Sequence, residues 1–134
     1  MPDPGPALPA VPVSVLVVDD KKDVADSLAR YLRAAAGHRV RVAYDGARAI
    51  RMAAAAAPDA VVCDIAMPGL PGLRVAEALG RLDPRPLLIA VTAFGGLCPE
   101  AAARAAGFDH YLVKPADPRA ITDLLRAHPS HPPA

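Results

Sequence analysis

Three observations predict an α/β fold built from five βα units around a parallel sheet. Short, near-continuous apolar runs recur along the chain, longer segments of helical period alternate with them, and proline-rich ends bracket a single stretch of this alternation. Strands that are apolar on successive residues are buried on both faces, so helices must cover both sides of the sheet, a doubly wound arrangement. With 134 residues the chain suits one domain with a real core. Its expected bounds are 13–127, with a Pro-rich tail or linker over 1–12 and a C-terminal tail over 128–134.

The first strand is VSVLVV, 13–18. Val24, Leu28, Tyr31, Leu32 and Ala35 then mark one face of a helix that Gly37 can terminate. A shorter strand at 40–43 leads through the turn-like Asp45-Gly46 into an Ala-rich helix over 47–57, ended by Pro58. The third strand, 60–63, is followed by the loop DIAMPGLPG, 64–72, and a helix over 73–81. The run at 87–91 is a fourth strand, and a helix over 100–106 closes at Gly107. A short strand at 110–113 precedes the last helix, which begins at Pro118, a first-turn position, and turns Ile121, Leu124 and Leu125 inward.

Composition narrows the function. Fifteen basic and 14 acidic residues leave a net charge of +1, which gives no electrostatic reason to bind nucleic acid or an anionic membrane. No run approaches the roughly 18 apolar residues of a membrane span, and the N-terminus lacks the pattern of a signal peptide. Cys63 and Cys98 are far apart with no metal-type spacing, so reduced thiols in a cytoplasmic protein are expected. His38, His110, His128 and His131 are scattered, and no ligand role is assigned to them.

In parallel sheets of this kind the ligand site lies at the carboxyl ends of the strands, beside the switch in strand order. Asp19 and Asp20 end the first strand, Asp64 the third, Thr92 the fourth and Lys114 the fifth. Lys114 is the only lysine beyond residue 22, and Thr92 is one of two threonines. Three converging carboxylates repel by several kcal/mol when partly buried, so they must take up protons or hold a cation. Hard oxygen ligands in small number suggest Mg²⁺. With Lys114 as a second cation and the Thr92 hydroxyl as donor, the group suits a phosphoryl that one carboxylate attacks in line.

The acidic pair in VVDD, the acid in CDIAMPG, the threonine in VTA and the run YLVKP, in this order at strand ends, resemble the receiver domain of bacterial two-component response regulators. The resemblance spans 13–127 and implies a flavodoxin-like sheet of order 2-1-3-4-5. It implies that Asp64 accepts a phosphoryl group from a histidine kinase or phosphotransfer protein. Asp20, Asp64 and the Ala66 carbonyl would hold Mg²⁺, with Asp19 acting directly or through water. Lys114 would pair with the phosphoryl oxygens, and the Lys114–Pro115 bond would be cis. Thr92 and Tyr111 would form a switch, read by a downstream protein on the face of the fourth helix, fifth strand and fifth helix, with homodimerisation on phosphorylation left open. Such a protein is a stoichiometric phosphoacceptor that assists its own phosphorylation and dephosphorylation rather than an enzyme. It is either a stand-alone receiver or one belonging to a hybrid histidine kinase.

Some positions depart from the commonest family pattern. Lys21 follows the acidic pair and is read as facing solvent; Ala66 and Phe94 are apolar where many relatives are polar; Pro71 stands where Asp is frequent. Two other readings compete. A receiver fold that signals without phosphorylation is opposed by intact Asp20, Asp64, Thr92 and Lys114. A phosphate-ester enzyme would need a GxxxxGK[ST] loop, which is absent, or a second Asp two places after Asp64, where Ala66 stands.

Overall fold

Alternate side chains of a strand leave opposite faces of a sheet, and this parity sets the layers. In the computed structural model, which describes residues 12–67, 69–93 and 99–127, parallel strands pair in the order β2-β1-β3-β4-β5. They are β1 (Ser14–Val18), β2 (Arg39–Ala43), β3 (Ala60–Asp64), β4 (Leu87–Thr92) and β5 (His110–Val113). The helices that follow them in turn are α1 (Lys22–Ala36), α2 (Gly46–Ala55), α3 (Gly72–Leu79), α4 (Glu100–Ala106) and α5 (Pro118–Arg126). The expected doubly wound fold is present, with every residue of β3 and β4 buried.

Val15 and Val17 of β1, Val62 of β3 and Ile89 and Val91 of β4 pack with Ala25, Ala29 and Leu32 of α1 and with Ile121 and Leu125 of α5. On the other face, Leu16, Val18, Val61, Leu88 and Ala90 meet Ala49 of α2, Val75 and Leu79 of α3 and Ala103 of α4. Each fully buried Val, Leu or Ile contributes about 1.5–3 kcal/mol relative to exposure, so these two layers supply the main folding force. At the sheet's amino edge, Asp59 accepts from the Ser14 N–H and Asp109 from the Leu88 N–H, both at 2.8 Å, closing backbone donors at strand starts. His38 is also structural there: its Nδ1 accepts from the Val13 N–H at 3.0 Å.

Local details differ from the sequence reading. The buried stripe of α1 is Ala25, Ala29 and Leu32, while Val24 is 43% exposed and Ala35 is exposed. Val24 and Ala25 are adjacent, so apolar spacing alone leaves the helix's rotation open by one position; packing against the sheet and α5 decides it. Asp45-Gly46 is a helix start rather than a turn, with the Asp45 carboxylate accepting from the Arg48 N–H at 2.7 Å. α2 stops at Ala55, where Arg41 caps it by donating to the Ala56 carbonyl at 2.7 Å and Pro58 disfavours helical backbone just before it. α3 stops at Leu79 rather than residue 81, because Gly80 is a poor helix residue and forms its C-cap. Gly37 terminates α1 with φ of 69°, a left-handed conformation that glycine adopts without strain.

The tails 1–11 and 128–134 lie outside the described residues, as do Pro68, Phe94, Cys98, His128 and His131. Among the described residues no helix is long and apolar enough to cross a membrane.

Candidate phosphoacceptor site

The order of strands reverses at β1 and β3: from β1 the chain moves outward to β2, then returns to β3 on the other side. Helices α1 and α2 therefore leave on opposite faces, and a cleft opens at the carboxyl ends of these two strands. Asp19 and Asp20 follow β1, and Asp64 is the last residue of β3. One carboxylate oxygen from each lies within 4.8 Å of the others. Lys114, just after β5, brings its Nζ to 3.1 Å from Asp19 Oδ2 and 3.7 Å from Asp64 Oδ2. Asp19 and Asp64 are only 5% and 4% exposed, so this is an ion cluster in a setting of low dielectric.

The partners of each carboxylate differ. Asp19 is held at both ends, accepting from the Lys21 N–H at 2.9 Å and from Lys114. Lys21 itself is solvent-exposed. Asp64 accepts from the Ala66 N–H at 3.2 Å. Asp20 has a buried Oδ1 with no hydrogen-bond partner, an arrangement that is unfavourable unless something cationic meets it. Burial raises the Asp64 carboxyl above its ordinary value, the Asp19 charge raises it further, and Lys114 and the Ala66 N–H oppose the shift only in part. One lysine does not neutralise three acids. An orphaned oxygen, all-oxygen donors and uncompensated negative charge together fit a hard divalent cation.

Thr92 is 2% exposed, and its carbonyl accepts from the Lys114 N–H at 2.7 Å, so it is tied by backbone to the lysine that enters the cluster. The Lys114–Pro115 peptide bond is cis. Tyr111 lies on β5, partly buried against the α2–α4 layer and paired in register with Ala90. Cys63 is buried beside Asp64, with its Sγ donating to the Asp64 carbonyl at 3.3 Å. Burial pushes this thiol's pKa up, which keeps it protonated and unreactive.

Gly72 is a positioning residue that sequence reasoning did not single out. A Cβ there would fall 2.6 Å from the Asp64 carbonyl oxygen and 2.7 Å from Ile65 Cα. The start of α3 therefore presses on the backbone of Asp64, and the Gly72 N–H donates to the Ile65 carbonyl at 3.0 Å. The available signal was the second glycine of MPGLPG, placed just where a helix begins. Pro71 is the N-cap of α3 and supplies no side-chain cap.

A family model described as Response regulator receiver domain matches residues 15–126. The chain is 46% identical over 101 residues to the Transcriptional regulatory protein PrrA of Mycobacterium leprae, covering 75% of this chain and 43% of the relative. It is 43% identical over 104 residues to the Response regulator MprA of Mycobacterium tuberculosis, covering 77% of this chain and 44% of the relative. The chain thus spans less than half the length of these curated relatives. Among solved structures, the chemotaxis response regulator CheY4 of Vibrio cholerae superimposes with a TM-score of 0.75 at 25% identity, covering 87% of this chain and 98% of that one.

Proposed function

This chain belongs to the response regulator receiver domain family, and on that premise we propose that it accepts a phosphoryl group on Asp64 and changes a partner-binding surface in response. The observation that carries this reading is the convergence of Asp19, Asp20 and Asp64 with Lys114 at the carboxyl ends of the strands, one carboxylate oxygen being buried and unpartnered.

The donor is the phosphohistidine of a kinase or phosphotransfer protein. An Asp64 oxygen bonds to phosphorus as the phosphorus–nitrogen bond breaks, and the imidazole leaves with the bonding pair. Lys114 meets the negative charge on the transferring oxygens, and the Thr92 hydroxyl donates to one of them. Asp20, Asp64 and the Ala66 carbonyl would hold Mg²⁺, with Asp19 contacting it directly or through water. When bound, Mg²⁺ supplies positive charge where the phosphoryl oxygens gather. Thr92 is drawn toward the modified Asp64, and the ring of Tyr111 turns into the space it leaves. The change is read by a downstream protein on α4, β5 and α5. The acceptor is stoichiometric and acts in the cytoplasm, with residues 13–127 forming the receiver.

The test is incubation with Mg²⁺ and acetyl phosphate, followed by intact mass measurement. The wild type is expected to gain one phosphoryl mass, and Asp64→Asn or chelation of Mg²⁺ to abolish the gain. An equal gain in Asp64→Asn would overturn the assignment of the acceptor.

A further inference from the structure

The net charge of +1 conceals an uneven placement of charge. Between Ser27 and Pro58 the chain carries six arginines, Arg30, Arg33, Arg39, Arg41, Arg48 and Arg51, against one acid, Asp45. β2 is an edge strand, and the fold gathers all six around it. Arg39 and Arg41 lie on β2 itself. Arg33 reaches the strand from α1, donating to the Val40 carbonyl at 2.7 Å, and Arg30 stands one turn before it on the same flank of the helix. On the other face of the sheet Arg41 donates to the Met52 and Ala56 carbonyls at the end of α2. Arg48 stands one turn before Met52, and Arg51 one turn after Arg48.

Among the described residues none of these six arginines forms an ion pair, whereas Arg74, Arg85, Arg104, Arg119 and Arg126 all do. Three of those pairs, Arg74 with Glu77, Arg104 with Glu100 and Arg126 with Asp123, are the one-turn pairings that ordinarily neutralise a helix surface. α1 and α2 instead set arginine one turn from arginine, where like charges repel. The acids closest in sequence are engaged elsewhere: Asp26 accepts from the Tyr44 hydroxyl at 2.6 Å, and Asp45 from the Arg48 N–H at 2.7 Å. Uncompensated charge of one sign along one edge creates a local positive potential on a chain that is nearly neutral as a whole.

We infer that the β2 edge docks a short acidic segment of a partner protein, whose carboxylates are met by the exposed guanidinium groups of Arg30, Arg39, Arg48 and Arg51. Tyr44, 37% exposed just after β2, adds an aromatic contact at one end of the strip. Carboxylates on a short segment suit this strip better than a nucleic acid does. β2 has five residues, a length of roughly 17 Å. Beyond its carboxyl end Asp20, Asp23 and Asp45 would repel a polyanion that ran on. β2 and β5 are opposite edges of the sheet, so docking here neither requires Asp64 nor blocks a partner on α4, β5 and α5.

The test measures binding of a fluorescent glutamate-rich peptide of about eight residues, enough to follow one strand edge, by anisotropy on the whole chain. Its glutamine counterpart and a short duplex DNA are measured beside it. The glutamate peptide is expected to bind, and added NaCl to weaken it. Arg48→Glu combined with Arg51→Glu should weaken it at least about tenfold, as reversal of two charges at a docking surface predicts. Arg81→Glu combined with Arg126→Glu makes the same change in net charge at exposed positions away from β2, and should stay within about twofold of the wild type. Arg48→Gln combined with Arg51→Gln adds no new charge to α2, and should lose affinity with an unchanged melting temperature. On addition of the peptide the amide resonances of Val40, Val42 and Tyr44 should shift, in Asp64→Asn as in the wild type. Equal loss in the two charge reversals, equal binding of the glutamine peptide, or no binding of the glutamate peptide at low salt would overturn the inference. DNA bound more tightly than the peptide, and lost with Arg48 and Arg51, would overturn the acidic segment as occupant and assign the strip to nucleic acid. Docking at β2 and phosphorylation of Asp64 are read separately, so either can fail without the other.

Discussion

Asp64 is stressed by its surroundings before any cation arrives, and this has a measurable consequence for stability. Its folded-state pKa lies above the ordinary carboxylate value of 3.8, through burial first and the charge of Asp19 second. A folded state that holds a proton more tightly than the unfolded chain is favoured at low pH, and it loses that advantage as pH rises from the unfolded to the folded pKa. Above this window the full penalty of the ionised carboxylate remains. Without Mg²⁺, Asp64→Asn should therefore be more stable than the wild type at pH 7, with the difference closing as pH falls below the ordinary carboxylate range. Urea melts at several pH values in chelator check this. A variant no more stable at neutral pH would show that Lys114 already compensates the charge. Asp20 differs, since its unpartnered oxygen makes it the carboxylate with most to gain from a cation. Asp20→Asn should weaken Mg²⁺ binding at least tenfold by titration calorimetry, as loss of one ion-pairing carboxylate predicts.

At the level of the elements, the start of α3 fixes the end of β3 that carries Asp64. Alanine is ordinarily a better helix residue than glycine by about 1 kcal/mol. At Gly72 that gain is outweighed, because a Cβ would meet backbone atoms of Asp64 and Ile65 below 3 Å, and backbone cannot step aside as a side-chain tip can. Gly72→Ala is expected to lower stability by about 1–3 kcal/mol and to weaken Mg²⁺ binding by displacing Asp64. Thermal melts and calorimetry read the two effects separately, and an unchanged melting temperature would refute the close approach. Capping at α5 gives a contrast remote from chemistry. Asp117 accepts from the Arg119 N–H at 2.9 Å, and Asp117→Ala should lower the melting temperature slightly with Mg²⁺ affinity intact. The strand ends that carry Asp19, Asp64, Thr92 and Lys114 were legible in the sequence because each apolar run stops abruptly at a polar residue. The rotation of α1 was not, since Val24 and Ala25 satisfy the same spacing and only packing against the sheet and α5 chooses between them. Gly72 was hidden for a similar reason: its constraint comes from β3, an element whose position the local sequence does not state.

Across the whole molecule, folding gathers negative charge that the unfolded chain disperses. Two strand ends, separated in sequence by α1, β2, α2 and β3 itself, bring Asp19, Asp20 and Asp64 together, while Lys114 arrives from a third strand. The two packed layers supply the force that holds this arrangement against repulsion, since Val17, Val62 and Val91 beneath it are almost fully buried. A cation that recognises the gathered carboxylates has little affinity for the dispersed ones, so binding must stabilise the fold. At a free Mg²⁺ concentration a hundred times its Kd the gain is about 2.7 kcal/mol. For a domain of this size that corresponds to a rise in Tm of roughly 10 °C. The specific effect separates from general screening by its ion dependence, because monovalent salt at equal ionic strength weakens surface interactions without filling an oxygen site. Mg²⁺ should therefore raise Tm far more than matched NaCl does, and Asp20→Asn should lose most of the difference. If Mg²⁺ and NaCl shifted the melting temperature equally, the three carboxylates would be acting as diffuse surface charge rather than as a cation site.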